Sequence, residues 1–550
     1  MTAAERRERT EAADALCAAA FVQSGAAERG IALVAVGSLA RGELAPHSDL
    51  DLVLVHADEV DPGPCAERLW YPFWDSGRRL DHAVRSVSQT RALAADDLRV
   101  ALGMLDVRHL AGDPVLSATL RSSLLSAWRR DARRRLPELH RLAEARARLL
   151  GELAHASVPD LKESLGGLRD ATVLRALRAT WVVDVPHKEL ERWHRALLDV
   201  RDVCHDGAHR TSDRVAPDGW SDLAGGLGLA DAEEAQRHVR EIGRHLNQLS
   251  RLTWRRVEGA LAPGRSGPRR PELQPVAPGI ALSAGEVVLD FGARPERDPL
   301  LVLCAAAEAA ERGVALAPAT AARLVRECPP LPEPWPAPAR SLFVRLLASG
   351  PGLLPVWEAL DESGALDRML PEWERLRLLP HASPIHRFTV DRHLVETCIE
   401  AAGLIRRIPR PDVVLVAALL HDVGKAEPTE HARAGAPIAR RAALRLGFSA
   451  GDADLVATLV RWHLLLPDVA TTRDPEDPAT VTGVVAAVGT AGVLAMLSVL
   501  TEADARATSP QAWSSWRAGL VGALVERVAV ALTTQPPEPV RAALGPRAAG

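Results

Sequence analysis

Residues 31–55, with the sequence IALVAVGSLARGELAPHSDLDLVLV, decide the fold of the first part of this chain. The apolar, β-branched run at 31–36 is typical of a short buried strand, and a second apolar run begins at Leu50. Gly37 and Ser38 lie between the two runs, where the chain must turn. The stretch therefore predicts two strands joined by a glycine-containing loop, and with them a mixed α/β domain at the start of the chain.

Two aspartates lie at the start of the second predicted strand. Because side chains at i and i+2 project from the same face of a strand, Asp49 and Asp51 are expected to lie side by side, with Leu50 on the buried face. Adjacent carboxylates repel each other unless a cation lies between them, and oxygen ligands suit Mg²⁺ or Mn²⁺ carrying a triphosphate. Asp81, in the alternating stretch 79–85, is the candidate for a third carboxylate.

The loop before these aspartates is suited to bind phosphate. Gly37 allows the backbone to approach a ligand closely, and Ser38 together with backbone N–H groups can hold phosphate oxygens. Arg41 is placed to neutralise charge on a departing pyrophosphate. An isolated Asp-Leu-Asp would be an ordinary polar strand edge, but the ordered set predicts a nucleotidyltransferase.

The last third of the chain contains a second set of chemically active residues. These are His393, His421, Asp422, His431, His463 and Asp504. Such ligands, brought together from several helices, can hold one or two divalent metals, and a bound metal makes phosphodiester hydrolysis feasible at neutral pH. His421 and Asp422 end an apolar helix predicted at 413–420, where ionisable groups are costly to bury alone. Lys425 follows them and could bind a substrate phosphate.

For any one of these histidines, an ordinary core or surface role is the better interpretation, but the ordered set favours a metal site. We expect His393, His421, Asp422 and Asp504 to be metal ligands. His431 and His463 are expected to form the shell of a second metal only. The second set therefore predicts a metal-dependent phosphohydrolase in a helical domain.

Together the two sets resemble the bifunctional uridylyltransferase/uridylyl-removing enzymes that modify the nitrogen regulatory protein PII. The resemblance extends over about residues 30–525 and includes further motifs in the family order. These are DLKESLGGLRD at 160–170, RDVCHDGAHRTSDR at 201–214, LPEW at 370–373, HRFTVDRH at 386–393, RWHLL at 461–465 and ADARAT at 503–508.

The resemblance implies an α+β chain whose head has a polymerase-beta-like mixed sheet. It also implies that the chain transfers UMP, or AMP as in actinobacterial relatives, from UTP or ATP to a tyrosine of PII. It implies that the same chain removes this group hydrolytically. Asp49, Asp51 and Asp81 would serve the transfer with Mg²⁺, and His421 with Asp422 the removal. Lys162 is expected either to reach the nucleotide or to belong to a structural loop.

The implied domain order is a nucleotidyltransferase head followed by helical domains. The expected boundaries are 1–140 for the head, 141–262 for a helical domain, 263–380 for a linker and helical connecting region, 381–525 for the HD phosphohydrolase and 526–550 for a tail. The family ends in two glutamine-sensing ACT domains of about 70 to 80 residues each. Residues 509–550 are too few for them, so we expect a chain without ACT domains. The stretch AEPTE at 426–430 replaces a glycine-rich family segment, which predicts an altered loop over the hydrolase site.

Charge and cysteine content narrow the possible partners. The 67 basic and 71 acidic side chains give a formal charge of −4, so no global positive field attracts nucleic acid. This argues against an HD-containing tRNA CCA-adding nucleotidyltransferase, which shares both motif types but needs a basic surface. A non-catalytic regulator that binds nucleotide or PII is the other alternative, although it would not need every metal ligand. The six scattered cysteines indicate reduced thiols and a cytoplasmic location.

Two further features are a long uncharged stretch and two proline-rich stretches. Residues 479–500 carry no charge and approach the length of a membrane span, but breaks at Gly489 and Gly492 favour two packed core helices. We therefore expect no membrane association. Proline-rich stretches at 263–279 and 329–338 are expected to be connectors, because proline at this density interrupts helices and central strands.

Overall fold

The computed structural model describes residues 3–262, 272–381, 385–427 and 430–534. They belong to two compact units, Met1–Gly267 and Pro268–Gly550. Three predicted features fall wholly or partly outside the described residues. These are positions 263–271 of the connector predicted at 263–279, positions 428 and 429 of the AEPTE stretch, and positions 535–550 of the tail predicted at 526–550.

The first unit contains a four-stranded mixed sheet and eleven α-helices among its described residues. The strands are β1 (Ile31–Ala35), β2 (Leu50–His56), β3 (Leu80–Ser86) and β4 (Arg108–Gly112). The helices are α1 (Ala3–Ser24), α2 (Gly37–Ala40), α3 (Gly63–Arg68), α4 (Tyr71–Asp75), α5 (Val87–Asp96), α6 (Leu98–Met104), α7 (Pro114–Leu150), α8 (Leu168–Ala179), α9 (His187–Ala208), α10 (Trp220–Leu227) and α11 (Ala232–Leu261). The predicted α+β head is confirmed, and α7 continues without a break through residue 140.

The sheet has the strand order β3-β2-β1-β4. β2 pairs parallel with β3, and β1 pairs antiparallel with both β2 and β4. Alternate residues of the central strands enter two different cores. Leu33 and Leu52 join the core that contains α1 and α4, whereas Val34 and Val53 join the core formed with the later helices. The sheet is therefore a central layer, which explains why β1 is apolar at every position.

Ion pairs join α1 and the α2 turn to the later helices of the first unit. Arg6 of α1 is 2.9 Å from Asp202 of α9, and Arg9 is 2.7 Å from the same carboxylate. Glu43, just after α2, lies 2.5 Å from Arg175 of α8. Asp202 and Glu43 are buried, and removing one partner of a buried pair typically costs about 3 to 5 kcal/mol. These pairs therefore hold both helix layers onto the sheet.

The second unit is helical apart from one small sheet. Its strands are β5 (Gln274–Ala277), β6 (Ile280–Ser283), β7 (Glu286–Leu289) and β8 (Ala315–Leu316). Its helices are α12 (Leu301–Arg312), α13 (Pro318–Glu327), α14 (Ala337–Leu347), α15 (Leu353–Glu362), α16 (Ala365–Met369), α17 (Trp373–Leu376), α18 (Val390–Ala402), α19 (Pro411–Leu420), α20 (His431–Arg445), α21 (Ala450–Trp462), α22 (Leu465–Thr472), α23 (Pro478–Val488), α24 (Ala491–Thr508) and α25 (Ser515–Thr534).

This second sheet corrects one sequence-based expectation. The proline-rich stretch at 263–279 was expected to be a connector throughout, but β5 occupies part of it. The strand order is β5-β6-β7-β8, so β5, which contains Pro275, is an edge strand. An edge strand tolerates proline because one side of its backbone needs no ladder hydrogen bond. The interpretation of 263–279 as a connector is therefore wrong for Gln274–Ala277, which form a strand.

The uncharged stretch at 479–500 forms parts of α23 and α24, which bend by 96° at the break between them. Val484 and Leu497 are buried in the core of the second unit. In the described part of the chain, no single helix is long and apolar enough to cross a membrane, and this bent pair meets the criterion by length and composition only. The prediction of two packed helices is confirmed.

Candidate active sites

Three carboxylates come together at the start of β2 and β3. The parallel register places Asp51 beside Asp81, and Asp49 immediately precedes β2 with half of its side chain exposed. Burial raises the pKa of Asp51 to about 6, and the negative charges of Asp81 and Asp49 act in the same direction. Oxygen ligands that repel one another in this way suit a divalent cation, which would offset their charge.

Gly37 and Ser38 lie directly beside these carboxylates. A Cβ at Gly37 would lie 2.5 Å from Oδ2 of Asp51, and Gly37 has a φ of +60°, so glycine is required here. The backbone N–H of Val36 donates to the carbonyl oxygen of Asp51 at 3.0 Å. Gly37 and Ser38 begin the single turn α2, whose first N–H groups have no partner within the helix. The loop therefore offers backbone donors next to the carboxylates.

Arg41 and Lys162 both act on Asp51 electrostatically, because their positive charges oppose the rise in its pKa. Arg41 donates to Glu43 at 2.7 Å and to Asp106 at 3.0 Å, so two carboxylates hold its guanidinium in this structure. Lys162 lies in the loop before α8 and has no ion-pair partner among the described residues. Its ammonium group is therefore free to bind an anion near the carboxylates.

The DLKESLGGLRD segment is braced within the first unit. Asp170 is buried and pairs with Arg146 of α7, and it accepts a hydrogen bond from the backbone N–H of Gly166 at 2.6 Å. A Cβ at Gly166 would lie 2.2 Å from the carbonyl oxygen of Gly243 in α11, so only glycine allows this approach. The segment thus fixes the loop that carries Lys162 between two long helices.

The RDVCHDGAHRTSDR segment supports the loop that leads to Asp49, a role that sequence reasoning did not assign. Nδ1 of His205 lies 2.6 Å from the carbonyl oxygen of Pro46, and its other ring nitrogen lies 3.0 Å from a carboxylate of the same segment. The hydroxyl of Thr211 donates to the carbonyl oxygen of His47 at 3.2 Å. The grouped histidine and aspartate of this motif were the only sequence signal for this role.

In the second unit, one triad joins three helices. Nε2 of His393 lies 3.2 Å from Nε2 of His421 and 3.0 Å from Oδ1 of Asp504. His393 belongs to α18, His421 follows the last residue of α19, and Asp504 belongs to α24. The three ligand atoms lie within 4.8 Å of one another, so one metal ion could contact all of them.

A second triad lies beside the first. Oδ1 of Asp422 is 3.4 Å from Nε2 of His431 and 3.7 Å from Nε2 of His463. These three atoms also lie within 4.8 Å of one another. Burial lowers the pKa of His463 to about 4 and also lowers that of His431, so both rings are neutral at pH 7, as metal ligands must be.

Asp422 links the two triads. Its Oδ2 lies 3.5 Å from Nε2 of His421 and 3.9 Å from Nε2 of His393, whereas its Oδ1 faces the second triad. Burial opposes ionisation, but Lys425, 2.6 Å away, and the histidines hold the pKa of Asp422 well below its usual range. Oδ1 is buried and has no hydrogen-bond partner in the described residues. A charged, buried oxygen without a donor fits a position between two metal ions.

Helix ends orient two of these histidines. Nδ1 of His421 lies 2.9 Å from the carbonyl oxygen of Ala418, and Nδ1 of His463 lies 2.8 Å from that of Val460. A carbonyl oxygen can only accept, so each Nδ1 carries the proton and each Nε2 keeps its lone pair for a metal. Gly424 completes the arrangement, because a Cβ there would lie 2.1 Å from the backbone oxygen at the start of α20.

Two histidines near this centre were missed by sequence reasoning. The rings of His381 and His386 stack with centroids 3.8 Å apart, and both meet the ring of His393 edge-on. Nζ of Lys425, which was predicted to bind phosphate, lies 3.0 Å from Nδ1 of His381 as well as beside Asp422. The only sequence signal was the density of histidines between 381 and 393.

Two known protein families match this chain, and each match includes residues of one of the two candidate sites. The family described as "Nucleotidyltransferase domain" matches residues 21–85, which include Asp49, Asp51 and Asp81. The family described as "HD domain" matches residues 390–491. Asp504 lies beyond the matched residues, although it closes the first triad. Both families generally use divalent metals, which agrees with the donor sets described above.

Three relatives carry the same name, "Bifunctional uridylyltransferase/uridylyl-removing enzyme". The protein of Streptomyces coelicolor is 49% identical over 96% of this chain, and that of Mycobacterium tuberculosis is 42% identical over 90%. The chain spans 65% and 63% of the lengths of these two relatives. The protein of Corynebacterium glutamicum is 37% identical over 88% of this chain, which spans 70% of that relative.

The order of the two matched regions along the chain, together with similarity that continues through the segments between and after them, confirms the expected family. The chain belongs to the family of bifunctional uridylyltransferase/uridylyl-removing enzymes.

Proposed function

We propose that the first unit transfers a nucleotidyl group, UMP or AMP, from the triphosphate to a tyrosine hydroxyl of PII, and that the second unit removes it by hydrolysis. The observation that carries this proposal is the presence, in each unit of the chain, of a cluster of side chains that can bind a divalent metal. In the first unit the cluster consists of carboxylates beside a turn that offers backbone N–H groups, and in the second unit it consists of histidines and aspartates.

In the proposed transfer, Asp49 and Asp51, with Asp81 beside them, hold Mg²⁺ or Mn²⁺. When bound, the ion offsets charge on the phosphates and on the attacking oxygen. The N–H groups at the start of α2 and the hydroxyl of Ser38 orient phosphate oxygens. Lys162 and Arg41 supply positive charge where pyrophosphate departs, and Arg41 must exchange one of its present carboxylate partners to do so.

In the proposed removal, the two triads hold one or two divalent metals, with Asp422 between them. When bound, these ions provide a nucleophile at neutral pH and polarise the phosphodiester. Lys425, His381 and His386 lie on one side of the centre, where they can donate to phosphate oxygens. The backbone contacts of His421 and His463 keep their rings in place throughout.

The direct test uses the purified chain with Mg²⁺, UTP or ATP, and PII, followed by mass spectrometry of PII. We expect one added nucleotide per PII subunit, and the mass distinguishes UMP from AMP. The modified PII is then incubated with the chain without nucleotide, and loss of the added mass is expected. Unchanged PII under every combination of nucleotide and cation would refute the transfer, and a stable adduct would refute the removal.

Replacing Gly37 by alanine is expected to lower transfer about a hundredfold, because the added methyl group displaces the carboxylate of Asp51. Gly42→Ala is the matched control, since Gly42 has a similar φ of +69° but nothing within 4 Å of an added Cβ. Both substitutions strain the backbone by about 1 to 2 kcal/mol. Initial rates of nucleotide incorporation check the prediction, and equal rates for the two variants would contradict it.

Replacing His463 by alanine is expected to remove one of two bound ions and to leave the other. His463 belongs only to the second triad, so His393, His421 and Asp504 retain their ion. Elemental analysis of the dialysed protein should give a metal content lower by about one equivalent, since each triad can hold one ion. An unchanged metal content, or loss of both ions, would show that the triads do not bind metal independently.

A further inference from the structure

The first unit contains a cavity of about 640 Å³ that is separate from the carboxylate site. It lies between the end of α6, the first half of α7 and one face of α8. None of Asp49, Asp51, Asp81 or Lys162 lines it, and Arg41 is the one predicted site residue at its wall. Its size is in the range of small-molecule binding sites.

Five arginines line this cavity, and two of them are neutralised. Arg41 pairs with Glu43 and Asp106, and Arg175 pairs with Glu43 and with Glu191 of α9. In this structure these pairs neutralise the two guanidinium groups at the cavity wall. The remaining positive charge on the cavity comes from the other three arginines.

Those three have no carboxylate partner among the described residues. Arg121 projects from α7 and forms no hydrogen bond or ion pair there. Arg129 donates to the carbonyl oxygen of Ala179 at 3.1 Å, and Arg178 donates to the ring of His187. Three uncompensated guanidinium groups around one cavity repel one another, and an anion of high charge would relieve this repulsion.

Trp181 adds an independent observation at the same wall. This residue has a φ of +62°, a left-handed conformation that is rare for a bulky residue and costs of order 1 kcal/mol or more. The guanidinium carbon of Arg129 lies 3.6 Å from the centre of the indole ring, yet 76% of Trp181 is exposed. The guanidinium group of Arg129 thus stacks on the indole ring, and Trp181 remains largely exposed at the cavity wall.

We propose that this cavity binds a phosphate chain, either free pyrophosphate or the polyphosphate part of a nucleotide, without a divalent cation. The planar guanidinium fork matches phosphate oxygens, and three free positive charges match a di- or triphosphate better than a dicarboxylate. The proposal does not depend on the transfer reaction, because it requires neither the carboxylate site nor an acceptor protein.

The test is calorimetric titration of the full chain with sodium pyrophosphate, tripolyphosphate or UTP in the presence of a chelator, so that no cation occupies the carboxylate site. We expect binding that weakens as salt concentration rises. Arg121→Glu is expected to weaken it by about tenfold or more, since it replaces a charge-assisted contact by repulsion. Arg121 is exposed and forms no hydrogen bond or ion pair among the described residues, so this variant is expected to fold.

The matched control is Arg133→Glu, which makes the same charge change at an exposed position of α7 outside the cavity. The affinity of this variant for the phosphate compounds should stay within about twofold of that of the parent, because salt screens a charge that lies away from the cavity. A Trp181→Leu variant then distinguishes the two proposed ligands. If it weakens the binding of UTP but not of pyrophosphate, the ligand is a nucleotide. If it weakens both equally, the ligand is free pyrophosphate. Absence of binding, an equal loss in both arginine variants, or tighter binding of succinate than of tripolyphosphate would overturn the proposal.

Discussion

Replacing Asp51 by asparagine is expected to abolish nucleotidyl transfer and, at the same time, to stabilise the metal-free protein at pH 7. The amide is a poor ligand for a divalent cation, so we expect at least about a thousandfold loss of transfer. Burial raises the pKa of Asp51 from 3.8 to about 6. Ionising this carboxylate in the folded protein therefore costs about 1 to 3 kcal/mol at pH 7, and asparagine removes that cost.

The pH dependence supplies a check on the cause. Asp51 is protonated in both the folded and the unfolded state below about pH 3, so its raised pKa costs no stability there, and the cost develops as pH rises from about 4 to about 6. The advantage of the variant should thus be present at pH 7 and absent near about pH 3. Calorimetric unfolding in chelator measures it, with Asp75→Asn, at an exposed position in α4, as the matched control. A gain that is independent of pH, or absent, would contradict the explanation.

Replacing Asp422 by asparagine is expected to abolish removal of the nucleotidyl group while transfer stays within about twofold of the parent. Asp422 is the carboxylate that, among the described residues, faces both triads, so we expect the loss of both ions and a fall in removal of at least about a thousandfold. The His463→Ala variant, by contrast, should lose one ion. Elemental analysis and single-turnover removal from modified PII measure the two effects.

This substitution also leaves Lys425 without its partner at 2.6 Å, and the metal-free variant is expected to unfold at a lower temperature. Asp422→Asn combined with Lys425→Met removes both charges and serves as the variant to use if the single substitution fails to fold. Glu374→Gln, at an exposed position in α17, is the control for a neutralised carboxylate. Full metal content in the folded variant, or loss of transfer together with removal, would contradict the assignment of Asp422 to the second centre.

The strands that carry the first site could be predicted because their pattern is local. The apolar run before Gly37 and the alternation around Asp51 required only the period of a strand, and the structure confirms both. The register of β2 and β3 is a long-range property. Sequence pattern could propose Asp81 but could not place it beside Asp51, because that position depends on how two strands pair.

Two other features escaped prediction for physical reasons. Strands β5 to β7 are four residues long and one contains Pro275, so they lack the length on which a periodic signal depends. His381 and His386 lie outside the described helices and strands, where no periodic pattern predicts the orientation of a side chain. By contrast, His421 and Asp422 could be predicted as metal ligands, because ionisable groups at the end of an apolar helix are costly to bury without a metal or a charged partner.

The ion pairs that fasten α9 to α1 and α8 to the turn after α2 have a consequence for modularity. Arg6 and Glu43 lie among the first 43 residues, but their partners, Asp202 and Arg175, come more than a hundred residues later. The sheet with its carboxylates therefore cannot be exchanged between proteins independently of the later helices. Recombination that exchanged the strands without the matching helices would leave the buried charges of the sheet layer and of the helices without partners. This head and its helices must therefore be inherited together.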